Sequence, residues 1–297
     1  MSIVINDSGF AWPVLDIARA LDTEPEPLDF VLPGLLAGTV GSLIAPGATG
    51  KSFAALELLT QIATGKDMLG IGQYPTGTAV IFAAEDPVNA LHTRLKAVAG
   101  HLGDCERENL KSNSLILPCL GKAGDFLDNG KTTADIEKVA RGARLVVIDT
   151  LSRWHTGEEN ERRDAARVMR EMEKVAADTG AAVVFLHHTN KAAAMNGDGD
   201  KQQSSRGSSV FVDEARWVAF LQTMTTQEAQ TFGYNEDERK HYVRYGVTKA
   251  NYCPPQLDIW LRREEGGVLV RHEYEMRKTA AGTSKKGGSN EIDPWNI

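Results

Sequence analysis

Cysteine is scarce in this chain of 297 residues. Cys105, Cys119 and Cys253 lie far apart and include no C-x-x-C pair, so the sequence offers no disulfide framework. A reducing, cytoplasmic location is the simplest interpretation of this pattern.

Long apolar runs and an excess of positive charge are also missing. No apolar stretch approaches the ~18 residues of a membrane-spanning helix, and the N-terminus lacks the basic start and apolar core of a secretory signal. We therefore expect no membrane partner. The net charge is −7, whereas proteins that coat duplex DNA nonspecifically are usually basic. Any contact with nucleic acid must therefore come from a local basic surface.

The sequence does contain apolar runs that alternate with amphipathic segments. The predicted strands are 39–45, 77–85, 114–118, 143–151 and 181–188, and the predicted helices are 51–63, 87–102 and 161–180. Near-continuous apolar strands between helices predict an α/β fold with a mainly parallel sheet covered on both faces. Segments 240–252, 257–265 and 266–274 predict antiparallel strands added at the C-terminal side.

The chain divides into an arm, one domain and a tail. Residues 1–28 are predicted to be an extended arm or linker because Pro25 and Pro27 disfavour regular structure. Residues 278–297 are predicted to be a flexible tail, which leaves 29–277 as the domain. The polar, Gly-rich stretch 189–209 is long for a loop in a compact domain, and such loops are usually functional or disordered.

The stretch LIAPGATGKS, residues 43–52, nearly fits the phosphate-loop pattern G-x-x-x-x-G-K-[ST], with Ala45 where the first glycine is expected. A predicted strand precedes it and a predicted helix follows it, as phosphate binding by backbone N–H groups at a helix N-terminus requires. Lys51 would reach the β- and γ-phosphates, and Ser52 would ligate Mg²⁺. The alternative is a chance Gly-rich turn. The predicted ATP-binding residues are Gly47, Ala48, Thr49, Gly50, Lys51 and Ser52.

Three polar positions follow other predicted strands. Asp149 ends LVVIDT, where a carboxylate would hold Mg²⁺ through water. Glu85 ends VIFAAE, and a carboxylate there could orient and deprotonate the attacking water; the alternative is a helix N-cap, since Pro87 follows. His188 ends VVFLHH and could sense the γ-phosphate, or could be a hydrogen-bonded loop histidine. Ligands of open α/β sheets bind at these strand ends.

Six blocks together resemble the RepA-type hexameric replicative DNA helicases of IncQ-type broad-host-range plasmids. These blocks are PLDFVLPGLLAGTVGSLIAPGATGKS, AAEDP, VVIDTLSRWH, VVFLHHTNKAAA, SSRGSSVFVDEARW and YGVTKANY. The resemblance runs in the same order from about residue 27 to residue 267. It implies a RecA-like P-loop ATPase core, a homo-hexameric ring, and ATP bound between neighbouring subunits.

The resemblance also implies roles for individual residues. Lys51 corresponds to the Walker A lysine, Glu85 to the catalytic glutamate, Asp149 to the Walker B aspartate, His188 to the motif-3 histidine and Arg216 to the arginine finger acting on a neighbour's site. The alternative for Arg216 is a structural salt bridge to Asp213 or Glu214. DnaB-type helicases have a Lys-x-Arg pair near TKAN, where this chain has Lys249 but Asn251, so Lys249 is a weaker candidate for the finger.

Two segments fall where RecA-like proteins place DNA-contacting loops. Segment 189–209 supplies Lys191, Lys201 and Arg206, and segment 157–165 supplies Arg162 and Arg163. Neither contains an aromatic residue for base stacking, so contact would be mainly with phosphates. Convergence of several copies on one ring axis would reconcile single-stranded DNA binding with the negative net charge.

The leading functional prediction is therefore an ATP-dependent, ring-forming replicative helicase of a plasmid. A RecA-like DNA-dependent ATPase that acts in recombination or regulation without unwinding is one alternative. A P-loop small-molecule kinase and a non-catalytic, nucleotide-gated scaffold are the others. Because the chain has no evident primase or origin-recognition module, we expect separate primase and origin-binding initiator proteins as partners.

Overall fold

A computed structural model describes residues 4–5, 9, 11–157, 161–188 and 210–273. In chain order the strands are β1 Val4–Ile5, β2 Val14–Leu15, β3 Phe30–Leu32, β4 Leu35–Leu36, β5 Val40–Ala45, β6 Thr78–Ala83, β7 Ser114–Pro118, β8 Ala143–Asp149, β9 Ala182–His188, β10 Trp217–Thr223, β11 Tyr242–Ala250, β12 Ile259–Arg263 and β13 Leu269–Arg271. The helices are α1 Ile17–Asp22, α2 Lys51–Thr64, α3 Val88–Ala99, α4 Asp104–Asn113, α5 Lys131–Ala140, α6 Arg162–Thr179, α7 Val210–Glu214 and α8 Thr226–Phe232. Short 3-10 turns follow β8, α8 and β12.

A nine-stranded sheet in the order β13-β12-β11-β10-β5-β9-β8-β6-β7 forms the centre of the domain. Strands β10, β5, β9, β8, β6 and β7 are parallel, whereas β11, β12 and β13 pair antiparallel at one edge. The predicted α/β class, with a mainly parallel sheet and antiparallel strands at the C-terminal side, is confirmed.

Each face of the sheet carries its own apolar core. On one face, Leu58 and Leu59 of α2 pack with the inward side chains of β5 and β6. On the other, Met169 and Met172 of α6 pack with Phe185 and neighbouring residues of β8 and β9. Burial on both faces explains why the parallel strands read as continuous apolar runs.

Helices α4 and α5 and strand β10 were not predicted from the sequence. In α4 only Leu110 is buried, so the apolar spacing that reveals a helix is nearly absent. Helix α5 follows Gly130 and buries its threonines Thr132 and Thr133 along with Ile136, a mixture that hides the periodicity. Strand β10 pairs parallel with β5 and joins the antiparallel strands to the rest of the sheet.

The N-terminal segment has little regular structure. Strands β1 and β2 pair over two residues each, and all residues of α1 are at least partly exposed. Residues 24–29, with both prolines, belong to no helix or strand. The predicted loop 189–209 and tail 278–297 lie outside the described residues. None of the described helices combines the length and the apolar character that crossing a membrane requires.

Candidate nucleotide-binding site

The phosphate loop connects the C-terminal end of β5 to the first turn of α2. Ala45 is the last residue of β5, is buried and does not have a positive φ, so its position does not demand glycine. Gly50 has φ 111°, in the region that favours glycine, and Ala48 has φ 64°. Gly47 has no positive φ, so Gly50 is the glycine that this loop conformation requires.

Lys51 opens α2 but lies inside the loop, with 6% of its surface exposed. Its ammonium donates to the Ala45 carbonyl at 3.0 Å. Burial lowers the pKa of Lys51 to about 8, although the carboxylates of Glu85 and Asp149 pull it upward. A buried cation that lacks full hydration is well suited to bind a phosphate.

His188, the last residue of β9, lies between Lys51 and Glu85. Its Nδ1 is 2.9 Å from Lys51 Nζ, and its Nε2 is 3.4 Å from Glu85 Oε1. Since the lysine ammonium can only donate, Nδ1 accepts and a neutral His188 carries its hydrogen on Nε2, facing Glu85. The hydrogen bond from His188 is the main cause that lowers the pKa of Glu85, with help from the charges of Lys51 and Arg153. The proposed helix-cap alternative for Glu85 is wrong, because Pro87 is the N-cap of α3.

Asp149 ends β8 and is 3% exposed. Its carboxylate accepts from Thr150 Oγ1 at 2.9 Å, and Ser52 also hydrogen-bonds to it. Burial is the main cause that raises the pKa of Asp149. A hydroxyl beside a buried carboxylate is a set of oxygen donors that fits Mg²⁺. The structure thus brings Lys51, Ser52, Glu85, Asp149 and His188 together at one edge of the sheet.

Arg216 lies at the opposite end of the strands, beside the first residue of β5. It directly precedes β10, its N–H donates to the Val40 carbonyl at 2.9 Å, and its residue is exposed. Val40 and Ala45 are the two ends of β5, about 16 Å apart at ~3.3 Å per residue. Arg216 cannot reach the phosphate loop of its own chain from there.

Within the described part of the chain, neither Asp213 nor Glu214 forms an ion pair with Arg216. Another cation near Arg216 is Lys249 of β11, which donates to the Asp213 carbonyl at 2.5 Å. Its pKa is lowered by burial and by the nearby charge of Arg216. Two cations at one edge form a surface suited to an anion.

The candidate DNA-binding residues divide into two groups. Arg162 and Arg163 are exposed in the first turn of α6, in agreement with the predicted helix 161–180. Their position corrects the prediction that both belong to a DNA-contacting loop over 157–165. Helix α6 packs against α7, and Arg162 is near enough to Glu214 for its charge to affect the pKa of that carboxyl. Lys191, Lys201 and Arg206 lie outside the described residues.

Two arginines near the site were not among the predicted residues. Arg153 follows β8 in a 3-10 turn and contributes to the lowered pKa of Glu85. Arg263, at the end of β12, donates to the Thr49 carbonyl at 2.8 Å. Arg153 lies within the VVIDTLSRWH block, four residues after Asp149, and this short spacing was a signal for a cation near the site. No local signal marks Arg263, because only the sheet topology brings it to the loop.

A mainly parallel sheet with a phosphate loop after a central strand defines the class of P-loop nucleotide-binding proteins. The family model described as "AAA domain" matches residues 11–194, more than half of the chain, and the chain belongs to this family.

Solved structures give the fold more closely. One solved ATPase domain matches with a TM-score of 0.55 at 16% identity, over 80% of this chain and 86% of that one. The RadB recombinase matches with a TM-score of 0.52 at 14% identity, over 80% of this chain and 93% of that one. A DnaB-like replicative helicase matches with a TM-score of 0.53 at 15% identity, over 80% of this chain and 58% of that one. That structure is described together with its interactions with primase. The fold is that of the RecA-like P-loop ATPases.

Proposed function

We propose that this chain is an ATP-dependent replicative DNA helicase of the RepA type, which forms a hexameric ring, translocates on single-stranded DNA and unwinds duplex during plasmid replication. One observation carries the proposal: the phosphate-side residues gather at one edge of the sheet, while Arg216 is exposed at the other. Such a site is completed only when a second copy presents its Arg216. A head-to-tail arrangement of identical copies provides that contact at every junction.

Within one chain, each residue has a distinct task in ATP hydrolysis. Lys51 and the loop N–H groups bind the phosphates, and Ser52 and Asp149 would hold Mg²⁺. The bound ion would supply positive charge beside the phosphates. Glu85, ionised because its pKa is lowered, orients the attacking water and accepts its proton.

His188 would connect the chemistry to DNA. It contacts both Lys51 and Glu85 and is the last residue before segment 189–209. When phosphate draws Lys51 away from Nδ1, the hydrogen bonds of His188 must change. We propose that this change reaches Lys191, Lys201 and Arg206, which bind DNA phosphates together with Arg162 and Arg163.

A recombinase-like ATPase that does not unwind DNA is the second candidate, because the RadB recombinase matches nearly as well as the replicative helicase. A strand-displacement assay on forked duplexes with single 5′ or 3′ tails separates the two. ATP-dependent displacement from one tail polarity supports the helicase, and DNA-stimulated hydrolysis without displacement supports the alternative.

The kinase alternative makes a different prediction for the same preparation. It requires a phosphorylated acceptor, indifference to DNA and a small assembly. Native mass together with the rate of ATP hydrolysis, measured with and without single-stranded DNA, tests it. A hexamer-sized mass and stimulation by DNA would contradict it.

A further inference from the structure

The hairpin formed by β12 and β13 lies against the phosphate loop, although 214 residues separate Arg263 from Thr49. Strand β12 runs parallel to β5, so its C-terminal residue arrives at the same edge of the sheet. There Arg263 Nη2 donates to the Thr49 carbonyl at 2.8 Å. Arg263 is partly buried, and this desolvation lowers its pKa.

The hairpin leaves little space between itself and the loop. A Cβ on Gly50 would lie 3.3 Å from Leu269 Cδ1 and 3.5 Å from Arg263 Nη1. A Cβ on Gly267, in the hairpin turn, would lie 2.6 Å from the ring of Phe53 in the first turn of α2. The hairpin therefore packs on both the loop and the helix that follows it.

Glu57 ties the hairpin to α2. The Leu269 N–H donates to Glu57 Oε1 at 2.6 Å, and Glu57 is 1% exposed. Burial raises the pKa of Glu57 to about 8, so the carboxyl is mostly neutral at pH 7. Because a neutral carboxyl still accepts through its carbonyl oxygen, this bond does not require charge.

The Thr49–Gly50 peptide needs an external restraint. Gly50 has φ 111°, and a glycine has more backbone freedom than any other residue. The plane of the Thr49–Gly50 peptide can therefore rotate unless a contact holds it. In a trans peptide the C=O and the next N–H point in opposite directions. If the Thr49 carbonyl turned toward the phosphates, it would place a negative dipole against an anion and remove the Gly50 N–H from them.

We propose that Arg263 is a positioning residue of the nucleotide site: by holding the Thr49 carbonyl outward, it keeps the Gly50 N–H directed at the bound phosphates. The hairpin, fixed to α2 through Leu269 and Glu57, keeps Arg263 in place. This inference rests on the proposed nucleotide binding. It adds a group that never touches the nucleotide but sets the free-energy cost of ordering the loop around it.

The test uses the full chain and a fluorescent ADP analogue with Mg²⁺. Arg263→Met removes the donors but keeps an apolar side chain of similar length, and we expect its Kd to rise about tenfold, as for loss of a charged hydrogen bond. Arg263→Lys should recover part of this loss. Arg262→Met, on the exposed neighbour, is the matched control and should bind like the wild type. At saturating ATP, kcat of Arg263→Met should stay within about twofold.

A second pair of variants tests the support of the hairpin. Glu57→Gln keeps an acceptor for the Leu269 N–H and should bind ADP normally. Glu57→Met removes the acceptor and should weaken binding, although Glu57 is too deeply buried to contact a nucleotide. In the double variant, Glu57→Met should weaken ADP binding little beyond the effect of Arg263→Met, because both changes release the same Thr49–Gly50 peptide.

Several outcomes would contradict the inference. Equal affinity in wild type and Arg263→Met would overturn it alone, whereas a wild type that binds neither ADP nor ATP would overturn the proposed function as well. A purely structural role predicts that the unfolding temperature without nucleotide falls together with affinity and that Arg263→Lys restores neither. That result would also overturn the positioning role.

Discussion

His188 Nδ1 lies 2.9 Å from Lys51 Nζ, and the other nitrogen of the same ring lies 3.4 Å from Glu85 Oε1. One neutral imidazole therefore separates the cation that would bind phosphate from the carboxylate that would activate water. The arrangement connects three segments that lie far apart in the sequence, and it makes His188 sensitive to whatever Lys51 binds.

Replacing Lys51 should remove nucleotide binding without unfolding the protein. Lys51 is buried and its lowered pKa shows that burial opposes its charge, so Lys51→Ala should unfold at the same temperature as the wild type or slightly higher. Hydrolysis should fall to background, and MgADP should no longer raise the unfolding temperature. Near-normal turnover would show that this loop is not the site. Lys51→Met controls for the lost volume.

Replacing His188 should affect the chemical step more than binding. His188→Ala leaves Lys51 free for phosphate but removes the hydrogen bond that orients the Glu85 carboxylate toward the attacking water. We expect nucleotide affinity within about threefold of wild type and a loss in kcat on the order of 10²-fold. Steady-state hydrolysis and ADP titrations measure the two effects. Equal losses in affinity and in kcat/KM, with kcat unchanged, would assign His188 to binding instead.

Arg216 should act on the site of a neighbouring copy. Arg216→Ala should bind ATP but hydrolyse it about 10³-fold more slowly, because an arginine stabilises charge that develops on the γ-phosphate. In an equal mixture with Lys51→Ala, about a quarter of head-to-tail junctions would combine an intact Lys51 with an intact Arg216. Activity should return in part on mixing. Mixed assemblies that are verified by native mass yet remain inactive would contradict action between copies.

Arg162 and Arg163 should contribute to single-stranded DNA binding in a manner that depends on salt. Replacing both by Ala should weaken binding of every sequence and reduce the slope of log K against log salt by about 1.4, or ~0.7 for each phosphate contact. Lys111→Ala combined with Lys138→Ala removes the same charge from exposed helix positions and should leave the slope unchanged. Equal slopes in both double variants would place the DNA path elsewhere.

The stability of the protein should depend on pH through Glu57. Its pKa is about 8 in the folded chain against an ordinary 4.5, so the folded state keeps a proton that the unfolded state releases. The free energy of unfolding should therefore fall as pH rises through this window, by at most about 1.4 kcal/mol per pH unit. In urea unfolding from pH 5 to pH 8, the free energy of unfolding of Glu57→Gln should rise relative to that of the wild type as the pH increases. A constant difference across this range would contradict the raised pKa.

Strands β5 to β9 and β11 to β13, the phosphate loop and the polar strand ends could be predicted because their signals are local. Buried parallel strands appear as apolar runs, and Lys51, Asp149 and Glu85 each follow one. Arg263 gave no such signal, since its role arises from strand order.

Two predictions overlapped at the start of α6: a helix over 161–180 and a DNA-contacting loop over 157–165. The buried stripe of that helix begins at Ala165, and Glu161 makes no side-chain capping bond. The start of the helix therefore has no capping signal, but the amphipathic pattern over 161–180 placed both arginines in a helix, whereas the loop came only from the resemblance to RecA-like proteins.

The distance between the phosphate loop and Arg216 has a consequence for the stoichiometry of catalysis. If each working centre combines the loop of one chain with the arginine of the next, an open row of copies always ends in one idle loop and one idle arginine. Closing the row into a circle recovers that last centre. Specific activity per chain would then rise with concentration as short open rows grow, and would stop rising once the circle closes.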